Sequence, residues 1–242
     1  MVLAWASLRG FLQKCGEPVK AEQIGQINRL TEAVAALTEN YDKMDRMDAA
    51  GQRLFRQHLA FTQFVPGGKA VRAHKAVMDL TEAHFFDDPG IWDAGQVAEI
   101  IRPNVRFHNV KAGHFVDNIT MMDADWCKRY LFTGSTSPGA IDLAYWQLIE
   151  HALGFGYKAA AHLLRNIGLF TYAHARPIID VHIHKLLGAC HMAHANYPEA
   201  GHSFYVLSEL KGLPIIMLDA YAWCAYSGNW ETESVDFGNF SQ

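Results

Sequence analysis

The stretch GFGYK at residues 154–158 places a lysine two positions after a pair of closely spaced glycines. Helical periodicity begins at Tyr157, so Lys158 is expected in the first turn of a helix, where the macrodipole already presents positive charge. Neighbouring Leu, Phe and Tyr side chains remove water from the amine and disfavour its charged form further. The position therefore suits a lysine that is neutral often enough to attack an electrophilic carbon.

The same stretch predicts a tight hairpin between two helices. The first helix is expected to end near Ala152, and the second to run from Tyr157 to Ile167, with Gly168 as its C-terminal stop. Glycine permits unusual backbone angles and close approach, and the N–H groups that open the second helix point at the turn. Such a turn can bind an anion, for which a phosphodiester is the first candidate. Glycines that only allow close helix packing are the alternative.

A carboxylate, Asp180, stands before another predicted helix. The apolar residues after it step as one helical face, so Asp180 is expected at the N-cap: they are Ile183, Leu186, Leu187 and Cys190. A capping carboxylate stabilises the helix. Because it is rigid and ionised, it can also stabilise positive charge that develops nearby, and the two roles are compatible.

The elements that must position these residues are helices. Apolar residues recur at steps of three or four, as in Ile24, Ile27, Leu30, Val34 and Leu37, and glycine- and proline-containing breakers such as VPGGK at 65–69 separate the stretches. No alternating run is long enough for a sheet. We therefore predict an all-α protein of about ten helices.

Composition excludes several classes of protein. The chain has 242 residues, of which 50% are hydrophobic, and a net charge of -4, so global charge does not indicate a polyanionic partner. Four dispersed cysteines without a CxxC pair argue against a zinc ribbon or a cysteine-ligated iron–sulfur cluster; they are Cys15, Cys127, Cys190 and Cys224. We expect them to be reduced and mostly buried.

The apolar N-terminal stretch predicts neither export nor membrane insertion. Arg9 interrupts it, and the small-residue cleavage site of a signal peptide is missing. No apolar run approaches the roughly 20 residues of a membrane span. We expect a cytoplasmic protein without a membrane partner.

With these residues in hand, the chain resembles helix-hairpin-helix DNA glycosylases that have lyase activity. The segments GFGYKAAAHLLRNIG, IIDVHI and VRFHNVKA are most similar to the compact microbial 8-oxoguanine DNA glycosylase/AP lyases, over about residues 100 to 190. The resemblance implies two helical lobes with a cleft between them. One lobe would combine 1–60 with 176–242 and carry the catalytic Asp; the other, 61–175, would carry the hairpin and the catalytic Lys.

The resemblance also assigns roles. Lys158 would be the nucleophile and Asp180 the catalytic carboxylate, while the hairpin residues would grip the DNA backbone: Leu153, Gly154, Phe155, Gly156 and Tyr157. The implied enzyme is a monomer that flips an oxidised base, 8-oxoguanine above all, out of double-stranded DNA. It would excise the base through a lysine imine followed by β-elimination, in the cytoplasm with the nucleoid, without a cofactor. Another damaged base, such as an oxidised pyrimidine, or a non-catalytic DNA-binding module remain the alternatives.

Further candidates follow from the same resemblance. His162, Trp223 and Trp230 are candidates for the base pocket, and Arg106 and Lys111 for phosphate-side or structural contacts. Tyr226, Phe61 and Phe64 are further aromatics that either stack on the base or belong to the core. Compared with the compact members, the segment before Asp180 is longer and a tail follows Trp230, which leaves base specificity open.

Several histidines near Asp180 suggest a metal site, namely His182, His184, His191 and His194. Residues two apart on a helix point to different sides, so His182 and His184 cannot share an ion. We predict no metal. Arg165 and Asn166 are expected to fix the end of the lysine helix.

Overall fold

The computed structural model describes residues 37–170, 176–192 and 196–227, together with Gly25. Over these residues the protein has eleven α-helices, one short 3-10 helix and no strand, which confirms the all-α prediction. The 3-10 helix is Pro89–Ile91. The α-helices are α1 Thr38–Asp45, α2 Ala49–Phe64, α3 Ala70–Glu82, α4 Ala94–Ile101, α5 His108–Met121, α6 Ala124–Tyr130, α7 Pro138–His151, α8 Tyr157–Asn166, α9 Val181–Ala189, α10 Tyr197–Lys211 and α11 Ile215–Ser227.

The described residues fall into two compact units. Residues 37–170, with α1 to α8, form the larger unit, and α9 to α11 belong to the smaller one. The first boundary differs from the predicted position between residues 60 and 61, which lies inside α2. Because α2 is one continuous helix that packs against α1 and α3, residues 37–60 belong with the larger unit.

Helix α2 is the centre of the larger unit. It packs against α1, α3, α5 and α8, and nearly all side chains of its second half are buried. A helix buried on every side needs neighbours on every side, which explains this arrangement. Phe61 and Phe64 are 1% and 2% exposed, so these two aromatics belong to the core. The Phe64 ring packs edge-on against Phe115 of α5 at 5.2 Å between centroids.

Local capping determines where several helices begin. The Asp48 carboxylate accepts the Gly51 N–H at 2.8 Å, and Asp123 accepts the Trp126 N–H at the same distance. Asp93 and Gln96 form a reciprocal capping box at the start of α4. The helices therefore start at residues whose side chains replace the missing intrahelical acceptors.

The three described helices of the smaller unit are held together by buried apolar side chains. Ile183, Leu186 and Leu187 of α9 are buried, and α9 packs against α10 and α11. Phe204 of α10 and Leu218 of α11 are fully buried as well. Among the described residues of the chain, no helix has both the length and the apolarity needed to cross a bilayer.

Candidate functional site

The predicted hairpin is present between α7 and α8. Gly154 has φ +74, and a Cβ there would stand 2.7 Å from Nδ1 of His114, so backbone angle and space both require glycine. Gly156 is the N-cap of α8 with φ -115, and a Cβ there would meet nothing within 4 Å. The internal structure therefore demands glycine at 154 only, while the main chain at 156 is open to an approaching group.

The main-chain donors of the hairpin divide into two kinds. The Leu153 N–H donates to Oδ1 of Asn118 at 2.8 Å, and the Phe155 N–H donates to the Ala152 carbonyl at 3.2 Å. The N–H groups of Gly154 and Gly156 donate to no residue in the part of the chain that the structure describes. Of the five predicted backbone-binding residues, Gly154 and Gly156 thus offer main-chain donors, whereas the Leu153 N–H is bound by α5 and the Phe155 N–H is used inside the turn.

The hairpin side chains are divided in the same way between core and surface. Phe155 is 7% exposed and anchors the turn, whereas Leu153 is 46% exposed. The Tyr157 ring packs perpendicular to Trp146 of α7, with 6.1 Å between centroids, and the Trp146 side chain is 50% exposed. Apolar surface therefore flanks the two glycine donors.

Lys158 is the second residue of α8 and is partly buried, in the first helical turn as predicted. One turn further along, His162 is 8% exposed and packs edge-on against Phe61 at 5.8 Å. Burial lowers the pKa of His162 well below its usual value, and the charges of Arg165 and Lys158 lower it further. His162 is thus a buried neutral imidazole, and its role in a base pocket stays a prediction.

Polar contacts across a buried interface hold α8 against α2. Asn166 Nδ2 donates to Thr62 Oγ1 at 3.3 Å, and the main-chain carbonyl of Asn166 accepts from Asn40 Nδ2 of α1 at 3.5 Å. Asn40 Nδ2 also lies 3.4 Å from Nε2 of His58, whose pKa burial lowers to about 3. Asn166 was expected to fix the end of its own helix; instead its side chain is wholly buried and joins two helices.

Asp180 is the N-cap of α9, which confirms the predicted position. Its Oδ1 accepts the N–H groups of His182 and Ile183 at 2.8 and 3.1 Å. The hydroxyl of Tyr197 in α10 donates to the Pro177 carbonyl at 2.9 Å and accepts the Ile179 N–H at 3.2 Å. The chain leading to Asp180 is therefore held before the helix begins, and its catalytic role stays a prediction.

The two predicted phosphate contacts brace a loop of their own unit. Lys111 Nζ donates to the carbonyls of Phe64 and Pro66 at 2.8 and 2.6 Å, and Arg106 Nη1 lies 3.4 Å from the Gly67 carbonyl. Burial, followed by the Arg106 charge, lowers the pKa of Lys111 to about 8. For Lys111 these contacts favour the structural alternative. Arg106 is exposed, with its guanidinium 5.7 Å from the Phe107 ring centre.

The remaining candidates are only partly described. Trp223 in α11 is partly exposed, whereas Trp230 and His194 lie outside the described residues. No group of three or more His, Cys, Asp or Glu in the described ranges is arranged to hold a metal ion. Cys127 is a buried thiol and Cys190 a partly exposed one.

Two residues that contact the hairpin were not predicted from the sequence: Gln63 and Asn118. Asn118 is 1% exposed and Gln63 is 6% exposed, although both are polar. Asn118 lies on the buried face of α5 with Ala112, Phe115 and Ile119. A polar residue within an apolar helical stripe is the signal that indicates a buried hydrogen-bonding role.

Fold and hairpin together define a helix-hairpin-helix protein with a lysine in the first turn of the second helix. Residues 34–211 match the sequence model of the family described as 8-oxoguanine DNA glycosylase. Because that match covers most of the chain, the protein belongs to this family.

Individual relatives agree with this assignment. An 8-oxoguanine DNA glycosylase/AP lyase of Thermoplasma volcanium is 30% identical over 128 residues, which cover 51% of this chain and 57% of the relative. The Picrophilus torridus enzyme of that name is 33% identical over 89 residues, 37% of each chain. The matched part of the chain thus spans little more than half the length of the first of these relatives.

Solved structures show the same fold. The 8-oxoguanine DNA glycosylase of Thermotoga maritima superposes with a TM-score of 0.59 at 19% identity, covering 84% of this chain and 95% of that one. The Methanocaldococcus jannaschii enzyme gives a TM-score of 0.58 at 16% identity, with 86% and 96% covered.

Proposed function

We propose that this protein is a bifunctional DNA glycosylase/AP lyase that removes 8-oxoguanine from double-stranded DNA, with Lys158 as nucleophile and Asp180 as catalytic carboxylate. The observation that carries the proposal is the hairpin. Two glycine N–H groups without a partner among the described residues stand directly before a lysine in the first turn of α8. Membership of the glycosylase family supports the substrate class.

DNA binding would begin at the hairpin. The N–H groups of Gly154 and Gly156 would donate to a backbone phosphate, where the N-terminal dipole of α8 also favours negative charge. A base within a duplex hides its glycosidic carbon, so the nucleotide must leave the stack. This rotation costs a few kcal/mol, and least for a damaged pair.

The reaction then follows from the two side chains. The neutral Lys158 amine forms a bond from Nζ to C1′, the glycosidic C–N bond breaks, and the base departs with a proton. Opening of the sugar ring at its O4′ leaves an imine between Lys158 and C1′. The imine acidifies the C2′ hydrogen; its removal expels the 3′ phosphate by β-elimination. Asp180 would stabilise the cationic sugar and assist the proton transfers.

Borohydride trapping tests the nucleophile. Borohydride should reduce the imine of the wild type on duplexes that contain 8-oxoguanine, giving a covalent adduct. Lys158→Gln should bind the same duplex and form no adduct, whereas Lys43→Gln, a change of an exposed lysine of the same unit, should behave as wild type. An adduct formed by Lys158→Gln would refute the assignment of the nucleophile.

A matched pair of capping variants tests the carboxylate. Asn caps a helix as well as Asp does, so Asp180→Asn should fold normally and lower turnover by about two orders of magnitude or more. Asp123→Asn changes the N-cap of α6 in the same way and should keep wild-type turnover. If Asp180→Asn also turns over as wild type, Asp180 is a cap alone.

A panel of lesion duplexes tests the substrate. Preferential trapping on an oxidised pyrimidine would replace 8-oxoguanine as the substrate. Binding to DNA without trapping on any lesion would indicate a non-catalytic DNA-binding module.

We also propose that the protein acts as a monomer, since a single lesion lacks the two-fold symmetry that pairs of subunits read. A DNA substrate would place it with the nucleoid.

A further inference from the structure

We infer that Asn118 is a positioning residue that directs the Gly154 N–H of the hairpin toward the DNA phosphate. This inference rests on the proposed function, because it concerns the hairpin through which that function binds DNA. Asn118 lies on α5, outside the helix-hairpin-helix itself.

The Asn118 side chain pairs with the main chain of Leu153 at both polar atoms. Its Oδ1 accepts the Leu153 N–H at 2.8 Å, and its Nδ2 donates to the Leu153 carbonyl at 2.9 Å. The N–H belongs to the 152–153 peptide and the carbonyl to the 153–154 peptide, so the Asn118 amide bridges two consecutive peptide groups and resists rotation of both. The Leu153 carbonyl therefore has a fixed direction, inward toward α5.

Gln63 of α2 holds the other side of the pair. The second hydrogen of Asn118 Nδ2 goes to Gln63 Oε1 at 3.2 Å, and Gln63 Nε2 lies 3.4 Å from the Leu153 carbonyl. Asn118 thus uses one acceptor and two donors, and its amide orientation is determined. Because Asn118 is 1% exposed, water cannot replace it.

Because the peptide group is planar, the fixed direction of the Leu153 carbonyl also fixes the direction of the Gly154 N–H. The Leu153 carbonyl and the Gly154 N–H belong to one planar trans peptide, in which they point in opposite directions. A carbonyl held inward by Asn118 and Gln63 therefore turns the Gly154 N–H outward. His114, one turn before Asn118 on α5, packs against Gly154 and closes the space into which the turn could rotate.

Phosphate scanning tests the inference. Affinity is measured on duplexes with a tetrahydrofuran abasic site and single neutral methylphosphonates placed around it. The affinity of the wild type should fall when a methylphosphonate replaces the phosphate that the hairpin binds. Asn118→Leu should bind the unmodified duplex about ten-fold more weakly, the equivalent of one well-placed hydrogen bond to a charged group, and should no longer be sensitive at that one phosphate.

Two further variants separate positioning from folding. Asn118→Asp keeps an acceptor for the Leu153 N–H but cannot donate to its carbonyl, so it should reproduce the phosphate profile of Asn118→Leu. Thr120→Leu changes an exposed residue of the same helix and should keep the wild-type profile. Thermal melts of all variants report stability separately.

The outcomes distinguish the inference from the proposed function. If the Asn118 variants lose stability but keep the wild-type phosphate profile, the inference is overturned and the lysine chemistry is untouched. Wild type that binds a duplex containing 8-oxoguanine without borohydride trapping refutes the lysine chemistry, while the phosphate scan on the tetrahydrofuran duplexes still decides the role of Asn118. Wild type that does not bind the duplex overturns both.

Discussion

At the scale of single residues, the two glycines of the hairpin do different work. Gly154 is required by its own fold, because its φ is +74 and His114 fills the space where a side chain would begin. Gly156 has an extended φ and open space around it. Any requirement for glycine at position 156 must therefore come from a bound partner.

Alanine at each position separates these requirements. Gly154→Ala should lower the free energy of unfolding by about 1–2 kcal/mol for the left-handed backbone angle, and further for the contact with His114. Gly156→Ala should lose less stability in urea than Gly154→Ala, since only the N-cap preference for glycine over alanine is lost, yet it should bind lesion DNA more weakly because the methyl group meets the phosphate. Equal loss of stability in both variants would contradict this distinction.

The sequence predicted the positions of residues whose contacts are with near neighbours in the chain, and it did not predict residues whose contacts are distant in the chain. Lys158 and Asp180 were placed correctly in their helices because a hairpin and an N-cap are formed by near neighbours. The Asn118 contact to Leu153 spans 35 positions and that of Gln63 spans 90, so no local pattern indicates them. For Asn118, the available signal was a polar residue within an apolar helical stripe, and that signal does not indicate which residue it contacts.

At the scale of elements, α8 and α2 meet through polar groups in a buried interface. His58 and Thr62 lie one turn apart on α2, and His162 and Asn166 lie one turn apart on α8. All four are at most 8% exposed. The hydrogen bond from Asn166 to Thr62 favours one register of α8 on α2, and α8 carries Lys158.

The buried histidines predict a loss of stability in mild acid. His58 has a pKa of about 3 in the folded protein and about 6.5 when unfolded, so the unfolded chain binds more protons between those values. The free energy of unfolding should therefore fall as pH falls below about 6.5, by up to about 1.4 kcal/mol per pH unit for each such histidine. Above that pH the contribution is constant.

Urea unfolding between about pH 5 and pH 7 measures this effect. His58→Gln should have a shallower pH dependence than wild type, by about one proton at the lower end of the range. His202→Gln, an exposed change on α10, is the control and should keep the wild-type dependence. Parallel curves for wild type and His58→Gln would show that His58 does not carry the effect.

Helix boundaries were predictable where a cap or breaker marks them, and the unit boundary was not. α8 was expected over residues 157 to 167 and extends over Tyr157–Asn166. The predicted boundary at residue 60 lies in the second half of α2, which is buried on all sides and has no polar face in its sequence to indicate a boundary.

At the scale of the whole molecule, each of the two units contains a cysteine that can report on it. Cys127 lies in the larger unit and is fully buried, and burial, followed by the Asp123 charge, raises the pKa of its thiol. Cys190 lies in the smaller unit and is partly exposed. Reactivity of the Cys127 thiol therefore reports the opening of the larger unit, whereas Cys190 can react while the smaller unit is folded.

Alkylation of a variant that retains only these two cysteines measures this difference. In native buffer Cys190 should react at least about 100-fold faster than Cys127, because Cys127 needs unfolding of its unit before a thiolate can form. Raising urea should bring Cys127 to the same rate at the midpoint for residues 37–170. Comparable native rates, identified by mass spectrometry of peptides, would contradict the buried position of Cys127.

The hydroxyl of Tyr197 links two segments that are separated in the chain, which affects how substitutions in α10 should be interpreted. Its oxygen ties the segment ahead of Asp180 to the beginning of α10, which the chain reaches only after α9 has ended. The Tyr197 hydroxyl thus links the direction of the Asp180 carboxylate to α10, a helix to which the proposed mechanism assigns no role. Sequence variation in α10 would then alter reaction rate without touching a reacting group.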